Sequence, residues 1–476
     1  MKIKALALSA FTLFSIAANA QLKLGSLFTD NMVLQQKTNA AIWGWDDAGK
    51  SVTVTTSWNG KKYKATAGTT GKWLVKVATP VFGGPYTVTI SDGKAIKLNN
   101  VLIGEVWLCA GQSNMEMPVK GFKNAPVIGS LEAILRSNNP NIHIYTVPRG
   151  STTTAQENSK PSDWHVATPE FVANFSATGY FFGRLLNDML HIPIGLISDN
   201  YGGSTAEAWM DAEGLKDFSE VHIPAKTDSI KVVNRTPTTL FNAMLYPVVG
   251  YAIKGCIYYQ GESNYERPDQ YEKIFPAMVK RWRDLWGQGD FPFYYTQIAP
   301  YDYAQLPPYN SGGKYNSAYL RDAQRKALKY IPNSGMAVLM DVGEQTTIHP
   351  AHKEEPGTRL GYLALSDTYG FAVKTFNYSS PLYRDMTVAG NIVTVRFFNA
   401  DYGLTSFGKP LQNFEIAGKN KSFHTALATI SGSTVILSSP LVKDPVAVRY
   451  AFQDFVVGDL FGNNGLPASS FRTDDW

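Results

Sequence analysis

The chain has 476 residues, enough for two or three domains rather than one core, and its 44% hydrophobic and 13% aromatic content suits a well-packed globular protein. Forty-four lysines and arginines against 39 acids leave a net charge of +5 with no basic run, which excludes a charge-dense nucleic-acid surface. Two cysteines exclude a disulfide-dense scaffold.

Residues 1–20, MKIKALALSAFTLFSIAANA, join Lys2 and Lys4 to an apolar stretch and a small-residue end, Ala18-Asn19-Ala20. They read as a secretory signal cut near Ala20-Gln21, and the stretch is too short for a membrane anchor. No other segment approaches spanning length, so export to the periplasm or the medium is expected. Losing Lys2 and Lys4 lowers the net charge to +3.

Residues 21–100 alternate apolar and polar positions in SVTVTTSW, KWLVKVAT and PYTVTISDG, with turn signals between them. This predicts a small β-sandwich-like domain. Over 101–379 the rhythm changes to continuous apolar runs: VLIGEVWLC, IHIYTV, IPIGLIS, IKGCIYY, FPFYYTQI and GMAVLMDV. Amphipathic segments at 177–190, 271–286 and 318–331 lie between several of them. Apolar strands alternating with helices predict an α/β domain, a parallel sheet covered on both faces. In such folds ligands bind beyond the carboxyl ends of the strands. The long polar segments 148–174 and 204–236 are placed to shape the mouth of such a site. Alternation returns over 380–476 and predicts a C-terminal β region packing on the catalytic domain.

Four polar motifs follow the buried runs. AGQSNMEM (110–117) offers Ser113 as a nucleophile amid Gly111, Gln112 and Asn114. The glycine-x-serine-x-glycine elbow is not met, because Met115 replaces the second glycine, and a turn serine capping a helix is the alternative. In DNYGGSTAEAWM (199–210) the Gly202-Gly203 pair lets the backbone approach a ligand, or forms a simple loop. YYQGESNYERP (258–268) supplies Gln260 and Asn264, whose amides can donate to a developing oxyanion, and Glu262, which can hold an imidazole. It also reads as a polar loop capping the next helix. The fourth motif, 341–365, carries His349, the imidazole that shares this strand-end context and can serve as base. A metal site from His349 and His352 is weakly supported, the spacing being loose. The four motifs converge on one rim of a parallel sheet, which favours serine ester hydrolysis.

GEVWLCAGQSNMEMPV, YYQGESN and IHPAHK resemble the blocks of the SGNH-hydrolase superfamily, and most closely its bacterial sialate O-acetylesterase family of secreted carbohydrate acetylesterases. LFTDNMVLQQ, AIWGWDDAGKSVTV, GGSTAEAWM and the closing GLPASSFRTDDW extend the likeness over nearly all of the chain after residue 20. The resemblance implies an SGNH-like three-layer α/β/α domain with accessory β domains on its N- and C-terminal sides. It implies that Ser113 attacks an acetyl carbonyl with His349 as base, that an acetyl-enzyme forms, and that no metal or organic cofactor takes part. The oxyanion hole it implies draws on the backbone N–H of Ser113, on Gly203, and on an amide of Gln260 or Asn264.

One departure stands out. Many superfamily members carry an acid three residues before the histidine, where this chain has Thr346. Glu262 is the first candidate to orient His349, Asp341 the second, and a serine–histidine dyad the alternative. Trp209 is a candidate for stacking on a sugar, and Arg267 or Arg472 for meeting a sialic acid carboxylate. The substrate expected is an O-acetylated sugar, first of all sialic acid. Acetylxylan, another glycan, or non-catalytic glycan binding are the alternatives. The family's strand order sets Cys109 and Cys256 on neighbouring parallel strands, which rarely offer disulfide geometry, so two buried free thiols are expected.

Overall fold

Residue runs that are apolar at every position suit strands covered on both faces, and all six runs read from the sequence become strands of one sheet in the computed structural model. It describes residues 21–306, 316–371 and 377–476, so the expected signal segment lies outside the described residues. In spatial order the sheet runs Trp164–Ala167, Asn139–Thr146, Ile194–Asn200, Ala95–Gly111, Gly255–Tyr259, Phe293–Thr296, Ser334–Ala337. Every neighbouring pair is parallel except the first, which is antiparallel. That edge strand lies inside the 148–174 segment read only as a polar insertion. Four residues are too few to show a pattern, yet Trp164 is buried there and its Nε1 donates to the Leu27 carbonyl at 2.9 Å.

Two helical layers cover the sheet. Ala177–Leu190 and Glu354–Leu363 pack together on one face, where Trp107 meets Phe182 and Tyr294 at centroid distances of 5.0 and 6.0 Å. Pro268–Trp286 and Ser317–Ala327 pack together on the other, where Phe275 and Trp282 meet Tyr258 and Phe293. Phe293 and Tyr294 thus face opposite layers, as the two-residue period of a strand requires. The architecture is the three-layer α/β/α domain expected.

From its central strand the chain moves out to Asn139–Thr146, returns to Ile194–Asn200, then crosses to Gly255–Tyr259 on the other side. The carboxyl end of Ala95–Gly111 is therefore a topological switch point, where helices diverge and leave a crevice. This strand is 17 residues long. Its first part pairs with Gly83–Ser91 and Val33–Gln35, its second with the parallel sheet, so one continuous strand runs through residue 100. In the C-terminal region, sheets formed by Leu382–Ala389, Ile392–Phe398, Thr434–Ser438 and Leu427–Ser431, and by Phe423–Thr425, Phe414–Ala417, Ala447–Tyr450 and Phe471–Arg472, are all antiparallel. Buried Arg321 ties this region to the α/β/α layers by donating to the carbonyls of Gln453 and Asp454 (3.3 Å to the latter), and Gln297 donates to Ser469 Oγ at 2.9 Å. Cys109 pairs in register with Ile257, and both Cys109 and Cys256 are buried free thiols.

Asp199, in the strand beside the central one, is fully buried with neither carboxylate oxygen hydrogen-bonded among the described residues. Burial pushes its carboxyl up to about 8. A carboxyl that keeps its proton in the fold but loses it near pH 4 when unfolded makes folding less favourable as pH rises between those values. Thermal melts from pH 4 to 9 are expected to show Asp199→Asn gaining stability over wild type towards alkaline pH. Parallel curves would show that the burial of Asp199 carries no such penalty.

Candidate active site

The polar stretch at the end of the central strand is a tight elbow. Gly111 has φ +147°, and a Cβ there would lie 2.1 Å from the Tyr259 carbonyl oxygen, so the elbow needs glycine to pass the next strand. Gln112 follows, its Oε1 accepting from the backbone N–H of Gly261 and of Ser263, both at 3.3 Å. Ser113 then opens the short helix Ser113–Glu116 at the sheet's carboxyl edge. As the first helical residue its N–H has no intrahelical acceptor, and it takes no partner among the described residues.

The Gly202-Gly203 turn lies directly opposite: a Cβ on Gly202 would sit 3.5 Å from that of Ser113. Gly202 N–H donates to Glu116 Oε2 at 2.8 Å, and Arg149 Nε holds the other oxygen of that carboxylate at 2.6 Å. Asn234 Nδ2 donates to the Gly202 carbonyl at 2.7 Å. In a trans peptide the carbonyl and the following N–H point opposite ways, so this bond fixes the direction of Gly203 N–H. That N–H takes no partner among the described residues. Gly203 has φ +70°, which glycine adopts freely.

Beneath the serine, buried Asn114 joins three of the motifs. Its Nδ2 donates to Glu262 Oε1 at 2.6 Å and to the Ile348 carbonyl at 3.0 Å, while its Oδ1 accepts from Lys353 Nζ at 2.6 Å. Ile348 precedes His349, so the Ser113 segment and the histidine loop are pinned together. His349 sits edge-on to Phe122 at 5.2 Å. Its ring nitrogens hydrogen-bond to no described residue. Burial, reinforced by the charge of Lys353, pushes its imidazole down to about 4. Glu262 is buried, burial raises its carboxyl, and its Oε2 has no hydrogen bond among the described residues.

Ser113, Gly203, Glu262 and His349 line one cavity of about 360 Å³, together with Gln112 and Arg235. Gly203 and Arg235 also line an adjoining groove of about 1010 Å³ shaped largely by residues 220–237, most of them within the 204–236 insertion. The other residues singled out in the sequence lie elsewhere. Gln260 Nε2 donates to the Ser204 carbonyl and to Asn264 Oδ1, and Asn264 Nδ2 to Glu207 Oε2, so both amides are engaged inside the fold and neither residue lines the cavity. Trp209 is fully buried with Nε1 on Ser204 Oγ at 2.9 Å, and it has no ring face open to a sugar. Arg267 borders the groove but pairs with Glu207. Asp341 takes a bidentate pair from Arg359 at 2.7 Å. Arg472 stacks on Tyr319 beside Asp322. Thr346 is exposed. Among the described residues no group of three or more His, Cys, Asp or Glu could hold a metal ion.

Residues 103–357 match the family model described as carbohydrate esterase, sialic acid-specific acetylesterase. The chain belongs to this family. It is 30% identical to human sialate O-acetylesterase over 403 residues, 77% of this chain and 74% of the human one. It is 28% identical to the rat sialate O-acetylesterase over 507 residues, covering 92% and 91%. The crystal structure of a carbohydrate acetylesterase from Xanthomonas citri superposes with a TM-score of 0.86 at 33% identity, covering 96% of this chain and all of that one. The protein is thus a carboxylic-ester hydrolase of the carbohydrate esterase class, and its SGNH-like fold is shared with that structure.

The motifs mark Asn114 only as a neighbour of Ser113, and they give no sign of Glu116, Asn234 or Lys353 as site residues. Asn114, Glu116 and Lys353 stand inside motifs already quoted, where a side chain facing inward looks the same in sequence as one facing outward. Asn234 lies in the polar insertion, where no pattern marks it.

A base is active when neutral, so with His349 as the base the lowered imidazole would extend activity towards acid. The acid limb of kcat/KM for acetyl-ester hydrolysis is expected near pH 4. A limb near 6.5, the ordinary imidazole value, would contradict the environment assigned to His349.

Proposed function

We propose that the protein is an exported serine esterase that removes O-acetyl groups from carbohydrate, sialic acid first among the candidates, through an acetyl-enzyme. The observation that carries this is the meeting of Ser113, Gly203 and His349 in one cavity at the switch point of the sheet. Ser113 Oγ bonds to the acetyl carbon as its proton passes to His349. The carbonyl electrons move to oxygen, which takes N–H donors from Ser113 and Gly203. Collapse breaks the bond to the sugar oxygen, and His349 returns the proton to it. Water, deprotonated by His349, then attacks the acetyl group and releases acetate and Ser113. Glu262 acts through Asn114 in this reading, since its hydrogen bond goes to that amide rather than to the imidazole. No cofactor enters any step.

Sialic acid is supported by the relatives' names, export by the pattern of residues 1–20. A neutral acetylated glycan such as acetylxylan is the second reading, favoured by the acids already paired with two arginines bordering the site, Arg149 with Glu116 and Arg267 with Glu207.

Acetate release from 9-O-acetylated sialic acid and from acetylated xylo-oligosaccharide, measured side by side, tests both readings. Wild type is expected to act on one of them and Ser113→Ala on neither. A folded wild type inert on both would overturn the sialate and xylan readings. Asn234→Ala should lower kcat roughly ten- to hundredfold by freeing the Gly202-Gly203 peptide, less than the about hundred- to thousandfold that outright loss of one oxyanion donor costs. Unchanged kcat would remove Gly203 from the oxyanion hole.

A further inference from the structure

Lys353 is an unexpected residue to find bonded to the side chain that follows Ser113. It is fully buried, it does not line the cavity, and it takes no part in the steps above. Burying an ammonium is costly unless it is paired and hydrogen-bonded. Its Nζ donates to Asn114 Oδ1 at 2.6 Å and lies 5.9 Å from the centre of the Tyr259 ring. The charged and titratable groups acting on it are Glu262 and Glu344, which favour its charged form, and His349 on the same loop. Glu344 Oε1 accepts from the Ala351 N–H at 2.6 Å, so the loop 344–353 is closed around this lysine.

An amide at this position could be turned either way, but an ammonium only donates. Lys353 therefore obliges Asn114 to present its oxygen to Nζ and both amide protons to the other side. One proton goes to Glu262 Oε1 and one to the Ile348 carbonyl, and the Asn114 amide is then fully used. We infer that Lys353 is a positioning residue of this esterase: by fixing the Asn114 amide it holds Ser113, Glu262 and the backbone leading into His349 in one reactive arrangement. This rests on the Ser113–His349 reading. Burial brings the lysine down to about 7, so it is protonated over the acid range in which His349 would titrate, and its charge there adds to burial in keeping the imidazole neutral.

Hydrolysis of an acetyl ester is compared across pH for wild type, Ser113→Ala and Lys353→Met, with folding followed by circular dichroism. Lys353→Met is expected to lower kcat about ten- to hundredfold with KM within about twofold, the pattern of lost transition-state organisation. Its acid limb should move up from about pH 4 by the lysine's share alone, staying below the ordinary imidazole value because burial, the larger cause, remains. A plug with no positioning role would shift the melting temperature and leave kcat and the limb alone, and that result overturns the inference. Should Lys353→Met not fold, Glu262→Gln/Lys353→Met removes both buried charges together and is compared with Glu262→Gln. A further tenfold loss supports the inference, and equal rates overturn it. Wild type alone supplies a check that needs no variant: an acid limb near 6.5 would show that neither burial nor the lysine's charge acts on His349 as assigned, which also overturns the inference. Activity that persists in Ser113→Ala would instead overturn the reading on which the inference stands.

Discussion

Asn114 is bonded through every polar atom of its side chain, and the active site depends on that amide. Three segments far apart in sequence, the elbow at 110–117, the turn at 260–264 and the loop at 344–353, meet at its Oδ1 and Nδ2. A buried amide leaves no solvent to replace a lost partner, so loss of one bond costs the desolvation of whatever remains. The same economy explains why Gln260 and Asn264 are held by Ser204 and Glu207 rather than offered to a ligand. Polar groups placed deep behind a site stabilise its walls; the donors left without a partner among the described residues are the backbone N–H groups of Ser113 and Gly203 at its rim.

Backbone donors need bracing, and the braces come from two directions. Glu116 accepts from Gly202 N–H while Asn234 donates to the Gly202 carbonyl, so the two successive peptides that flank the Gly202 Cα are each held by a side chain. Glu116 belongs to the helix that begins at Ser113, and Asn234 to the insertion that shapes the adjoining groove. Ser113, Gly203 and the groove wall are thereby coupled. A change in the groove can reach the chemistry without touching Ser113.

The sheet supplies the platform. Its central strand begins among the N-terminal β strands and ends at the elbow, and Gly111 lets it pass Tyr259 where any side chain would collide. A 17-residue strand shared by two sheets leaves little freedom for hinge motion between them. The C-terminal region is fastened by Arg321 and Gln297. These attachments lie away from the cavity and hold the catalytic layers in place.

The sequence alone determined the periodicities, and with them the six parallel strands, the three amphipathic helices and the flanking β regions, because apolar repeat and strand geometry share the same period. It also placed Ser113, Gly203, Glu262 and His349 at strand ends, and the parallel topology brings those ends to one rim. What it left open was direction. Trp209 and Asn264 are written beside Gly203 and Glu262 in the same motifs, yet one fills the core and the other supports Glu207. Asp341, at the end of its strand, is taken by Arg359 from the following helix, a pairing that only packing decides. The same holds for Asn234 and Lys353, unmarked by any repeat. Their partners are set by which side chains reach the same buried point, and that is a property of the tertiary structure rather than of any local stretch of chain.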